Sequence, residues 1–70
     1  MKAIVNGKEI EFEAELTVTE LLVRENVKMP DMVSVEVNGQ ILKRSEFDAK
    51  SLSDGDKVEF LYFMGGGKWN

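Results

Sequence analysis

Asn-Gly occurs twice in this chain, at Asn6-Gly7 and Asn38-Gly39, and each pair sits between short runs in which apolar and polar residues alternate. Both residues of such a pair tolerate the positive φ that a two-residue hairpin turn demands, so each pair predicts a strand, a tight turn and a returning strand. Met1 to Asn6 and Lys8 to Phe12 flank the first turn. Val33, Val35 and Val37 alternate with Ser34 and Glu36 ahead of the second, and Gln40-Ile41-Leu42 follows it as a shorter strand. A period of two puts the valines on one face and the polar residues on the other.

Between the two hairpins the period changes. Val18, Leu21, Leu22 and Glu25 recur at i, i+3, i+4 and i+7, the spacing of an amphipathic helix. Thr17 is the expected N-cap, Glu20 completes a capping box, and Pro30 lies just past the expected end at Asn26. Arg44 to Leu52 has no clean period and reads as a segment wrapping the sheet, with a helical turn near Ser45-Glu46-Phe47 and anchors at Phe47 and Leu52. Asp54-Gly55-Asp56 marks a turn, and Lys57 to Phe63 is the last strand. Val58, Phe60 and Tyr62 share one of its faces, and Glu59, Leu61 and Phe63 the other. The predicted core is Met1, Ala3, Val5, Ile10, Phe12, Val18, Leu21, Leu22, Val33, Val35, Val37, Ile41, Phe47, Leu52, Val58 and Phe60.

A hairpin, a crossing helix and two or three more strands, the last returning to the middle of the sheet, make an α+β domain over residues 1–64. The arrangement is the ubiquitin-like β-grasp, a mixed four- to five-stranded sheet with one helix packed across one face. Its first strand pairs in parallel with its last through a right-handed, helix-bearing crossover.

Seventy residues suffice for one small domain, and the sequence has neither cysteine nor histidine. Disulfides, thiolate nucleophiles, imidazole bases and the usual zinc sites are thereby excluded, which argues against catalysis by the chain and against a metal, and fits a reducing, cytoplasmic setting. Tyr62 lacks a partner for acid-base work and reads as packed. The net charge of −4 and pI near 4.7 disfavour nucleic acid and point to a basic face on a partner protein. No apolar run approaches the ~20 residues of a membrane helix, and the first residues lack the long apolar stretch of a signal peptide.

Residues 65–70 form a separate tail, Gly65-Gly66-Gly67 followed by Lys68-Trp69-Asn70. Three glycines without side chains can thread a channel too narrow for any Cβ, although glycine-rich ends are often nothing more than loose termini. They lack the Lys-Ser/Thr pair and following helix of a phosphate loop, so the chain binds no nucleotide of its own. Ile4, Leu61 and Phe63 on the sheet face away from the helix, with Glu59 beside them and Met64 next in sequence, are the candidate partner-docking residues. Coverage of that face by the segment from Lys43 to Ser53 is the alternative. Glu9, Glu11, Glu36 and Glu59 on the same side either steer a basic partner or are simply solvated.

Taken in order, the motifs are Val5-Asn6-Gly7-Lys8, Val18-Thr19-Glu20-Leu21-Leu22, Val35-Glu36-Val37-Asn38-Gly39, Ile41 with Arg44-Ser45-Glu46, Asp54-Gly55-Asp56-Lys57-Val58-Glu59, and the closing glycines. In that order they resemble the ThiS family of sulfur carriers of thiamine biosynthesis, over nearly the whole chain to Gly67. The small subunit of molybdopterin synthase shares the fold and tail but is usually longer. The resemblance implies a carrier, not a catalyst. An E1-like partner would adenylate the terminal glycine with ATP, a persulfide sulfur donor such as a cysteine desulfurase would replace AMP to leave a thiocarboxylate, and a thiazole synthase would receive the sulfur. This chain itself would bind no cofactor.

Members of the family end at the glycines, so Lys68-Trp69-Asn70 departs from the pattern. By analogy with relatives whose extension a peptidase removes, Gly67 becomes the functional end, with Gly66 second choice; an appended remnant, or a carrier that has lost its role, are the alternatives. Other readings are a carrier for another pathway, such as molybdopterin or an amino acid, a protein modifier, and a non-covalent interaction module whose tail is idle.

Overall fold

The computed structural model describes residues 1–13 and 15–62. Among them are strands β1 (Lys2–Val5), β2 (Lys8–Glu11), β3 (Val33–Val37), β4 (Gln40–Ile41) and β5 (Lys57–Tyr62), and one helix, α1 (Val18–Arg24). Short 3-10 turns span Pro30–Met32 and Arg44–Glu46. The sheet order is β2-β1-β5-β3-β4. β1 runs parallel to β5, whereas the β1/β2, β3/β5 and β3/β4 pairs are antiparallel. This is the predicted mixed sheet, five-stranded, with the last strand at its centre.

Local chemistry fixes each element. Asn6 and Gly7 take φ of 52° and 81°, and Asn38 and Gly39 take 52° and 86°, so both hairpins close through left-handed pairs. At the start of α1 the capping box forms in both directions: the Glu20 amide donates to Thr17 Oγ1 at 3.1 Å, and the Thr17 amide donates to Glu20 Oε1 at 2.9 Å. The helix stops at Arg24, two residues before the expected Asn26. Asn26 is instead the left-handed residue beyond the cap, at φ 56°. Its amide donates to Val23 O at 3.1 Å and the Val27 amide donates to Leu22 O at 3.0 Å, the paired bonds of a Schellman motif.

The core lies between α1 and the inner sheet face, built from Ala3, Val5, Ile10, Phe12, Val18, Leu21, Leu22, Val33, Val35, Val37, Phe47, Leu52 and Val58. Leu16, Val27, Leu42, Phe60 and Tyr62 pack half-buried against it. Of the predicted core, Phe60 is only half-buried against it, and two members are exposed. Met1 is 53% exposed at the margin of the sheet, where its ammonium donates to Phe12 O at 2.9 Å. Ile41 is 60% exposed because it pairs with Glu36, whose side chain points away from the helix, so the next residue, Leu42, turns inward instead. The turn at Pro30–Met32 was not predicted; a proline whose preceding residue, Met29, is left-handed at φ 54° opens it.

The Lys43 to Ser53 stretch docks on the helix side. The Val18, Thr19 and Leu52 amides donate to Lys50 O at 2.9 Å, Phe47 O at 3.2 Å and Leu16 O at 2.9 Å. Phe47 and Leu52 are buried in the core, as the sequence predicts. The stretch therefore closes an end of the core rather than covering the outer sheet face.

Candidate functional site

β5 is the strand that leads to the tail, and it is longer than the strand it pairs with in parallel. β1 leaves the sheet at the Asn6-Gly7 turn, opposite the middle of β5. There the Asn6 amide donates to Val58 O at 2.9 Å, and the Phe60 amide donates to Asn6 Oδ1 at 2.8 Å. A continued β1 would have offered the Asn6 backbone carbonyl to that Phe60 amide; the side-chain carbonyl takes its place, extending the ladder past the turn. Asn38 seals the other flank at the start of β5. Its amide donates to Lys57 O at 2.8 Å and its Oδ1 accepts from the Lys57 amide at 2.9 Å. Asn38 Nδ2 then donates at 2.9 Å to Asp56 Oδ1, while the Ser53 amide donates at 2.8 Å to the other carboxylate oxygen. Asp56, 7% exposed, is thus satisfied on both oxygens at the entrance to the central strand.

The sequence reading identified both Asn-Gly pairs as turn formers but gave their side chains no further task. What it missed, the closure of Asn6 onto residue 60 and of Asn38 onto residues 56 and 57, spans |i−j| of 54, 18 and 19. No local pattern signals such bonds.

Of the residues predicted to face a partner, Ile4, Glu59 and Leu61 share the outer surface. The β1/β5 and β1/β2 registers set Ile4 beside Lys57 on one side and Glu9 on the other. Next along β5, Glu59 lies opposite Glu36 and Leu61 opposite Ser34, and Glu36 in turn adjoins Ile41. Ile4 is 42% exposed, and Leu61 and Glu59 are half-buried. The structure therefore brings Ile4, Glu59 and Leu61 onto one face and adds Ile41, which the sequence reading had assigned to the core. Like charges directly opposite on neighbouring strands repel, so the Glu36/Glu59 pair is a cost to folding that a basic partner would relieve. Phe63, Met64, Gly65, Gly66 and Gly67, with Lys68-Trp69-Asn70, lie outside the described residues.

A groove of about 360 Å³ opens on the other side of the molecule, between α1 and the two 3-10 turns, with Leu22, Val27, Pro30, Arg44 and Phe47 among its walls. None of the predicted site residues among the described residues lines it. No helix among the described residues is long and apolar enough to cross a membrane.

Residues 2–67 match the model of the ThiS family. The chain belongs to the ThiS family. A crystal structure of the thiamine biosynthesis protein ThiS from Geobacter metallireducens superimposes with a TM-score of 0.86 at 51% identity, covering 96% of this chain and all of that one. A solution structure of a thiamine biosynthesis protein from the same organism gives 0.75 at 50% identity, covering 100% of this chain and 92% of that one. The chain is also 40% identical over 67 residues to the thiazole synthase of Paramagnetospirillum magneticum. That match takes in 96% of this chain but spans a fifth of the relative's length. The ThiS family match ends at Gly67, leaving Lys68-Trp69-Asn70 beyond it. The β-grasp fold read from the sequence is the fold of the two solved relatives.

Proposed function

We propose that this chain is a sulfur carrier of thiamine biosynthesis, working through a terminal glycine freed by removal of Lys68-Trp69-Asn70. The observation that carries the reading is the 51% identity to a ThiS structure at a TM-score of 0.86 over 96% of the chain. In the proposed cycle the Gly67 carboxylate attacks the α-phosphorus of ATP in an E1-like partner and pyrophosphate leaves. A persulfide sulfur from a donor protein then displaces AMP from the acyl carbon. A thiol on a partner breaks the resulting sulfur-sulfur bond, forming a disulfide with the donor and leaving the thiocarboxylate. Adenylation is needed because a carboxylate is a poor electrophile until a good leaving group is attached. The activating groups belong to the partner, and this chain supplies a terminus and a docking face.

Ile4 and Leu61, with Phe63 and Met64 beyond them in sequence, and Glu59 are the proposed docking residues. Gly65, Gly66 and Gly67 are the thread, since a glycine passes where any Cβ would collide. The matched relative from Paramagnetospirillum magneticum, a thiazole synthase several times longer than this chain, makes a thiazole synthase the proposed receiver of the sulfur. ATP-pyrophosphate exchange with an E1-like enzyme tests the first step. A version ending at Gly67 should stimulate exchange, whereas Gly66→Ala with Gly67→Ala in the same version should not. Equal exchange with and without the chain would overturn the reading.

A further inference from the structure

β4 ends early, and what replaces it assigns a task to Arg44. Val35 O accepts from the Leu42 amide at 2.9 Å, so the odd-numbered residues of β3 turn their backbone groups toward β4 and the even-numbered ones toward β5. With Val37 opposite Gln40 and Val35 bonded to residue 42, the same register carried two residues further puts residue 44 opposite Val33. The chain has by then left the sheet. The Arg44–Glu46 turn starts there, held by the Lys43 amide on Glu46 Oε1 at 2.8 Å and the Phe47 amide on Arg44 O at 3.1 Å. The side chain of Arg44 returns to supply the missing donor: Nη2 donates to Val33 O at 2.6 Å and Nη1 to Pro30 O at 2.8 Å. The guanidinium also lies 5.2 Å from the centroid of the Phe47 ring, which holds its plane in place.

Val33 is fully buried and pairs with Tyr62, the last described residue of β5. Beyond Asn6, β1 no longer flanks β5, so the end of β5 depends on β3, and the start of β3 depends on Arg44. The loop that precedes β3 carries two left-handed residues other than glycine, Asn26 and Met29, and its carbonyl at Pro30 is the other half of the clamp. We propose that Arg44 is a positioning residue: it pins the start of β3 and, through the Val33/Tyr62 pair, the end of β5 from which the sequence runs on to the glycines, and so sets where the terminal carbonyl arrives in a loading partner. The inference rests on the carrier reading, because positioning matters only if the terminus reacts. A planar fork with two donors is required, since an ammonium cannot span both carbonyls in one plane. Misplacement of a reacting group by about 1 Å can cost on the order of a hundredfold in rate.

The test uses Arg44→Gln and Arg44→Lys in the version ending at Gly67, with two readouts. The first is amide hydrogen exchange at Leu61 and Ser34 against Glu59 and Val35; the second is kcat and KM for loading by the E1-like partner. In Arg44→Gln, exchange at Leu61 and Ser34 should rise about tenfold or more with the interior positions unchanged. Its kcat should fall by a similar factor at a KM close to that of the parent, because the outer face is untouched. Arg44→Lys should lie between the two. Unchanged exchange at the strand ends overturns the proposal whatever the kinetics. Faster exchange with parental kcat also overturns it, reducing Arg44 to a structural clamp. If the parent itself is never loaded while the partner loads its own carrier, the carrier reading fails and the positioning role with it.

Discussion

Asn38 illustrates how much one residue of this chain is asked to do. It is left-handed at φ 52°, and its side chain accepts from the Lys57 amide and donates to Asp56. Asn38→Gly keeps the turn and loses the side-chain bonds, so it should cost about 1–3 kcal/mol by leaving the buried Asp56 carboxylate short of a donor. Asn38→Ala should cost about 1 kcal/mol more, because a Cβ is strained at this φ. Urea unfolding of the two variants separates the contributions, and equal midpoints would contradict the division. Leu21, with no exposed surface, belongs to a different class. Leu21→Ala should remove about 2–5 kcal/mol, a large share of what a small domain possesses, read from the same transitions. The turn residues and all thirteen buried apolar residues are legible as residue types at the right spacing. Asp56 is not, because its burial follows from partners distant in sequence.

At the scale of elements, α1 is the piece most fully written into the sequence. Thr17, Glu20 and the three apolar positions fix its start and its buried face, and Thr17→Ala should cost about 1 kcal/mol, measured by thermal or urea unfolding. Its end falls two residues before the position the sequence predicts, since Asn26 is well suited both to a last turn and to the left-handed position after it. β4 was placed correctly and its facing was not. Ile41 and Leu42 are both large and apolar, so alternation alone leaves the choice of inward residue open, and the register to Glu36 decides it. The Glu36/Glu59 pair joins two elements across the outer face. Glu59→Gln should raise stability by a few tenths of a kcal/mol, by removing like-charge repulsion, while slowing association with a basic partner. A variant that is both less stable and equally fast to dock would contradict the assignment of that face. The association rate of the parent should also fall as salt is raised.

For the whole molecule, sheet order, strand direction and the placement of one helix across one face follow from the order of the elements, and the relatives share that fold. The outer face was legible because β5 alternates cleanly, Glu59 and Leu61 against Val58 and Phe60. The support of the Tyr62 end of β5 was not, because it depends on where β1 and β4 stop and on which side chains continue their ladders. Folding positions these groups, but the reaction is proposed to occur at the far end of the chain, in the hands of a partner. The deciding measurement is the intact mass of a version ending at Gly67 after incubation with an E1-like enzyme, ATP and a persulfide source. A gain equal to the replacement of one oxygen by sulfur, confined to the last residue on fragmentation and absent from the form ending at Asn70, is the predicted result. An unchanged mass beside a successfully loaded control carrier, or covalent adducts to lysines in its place, would contradict the account.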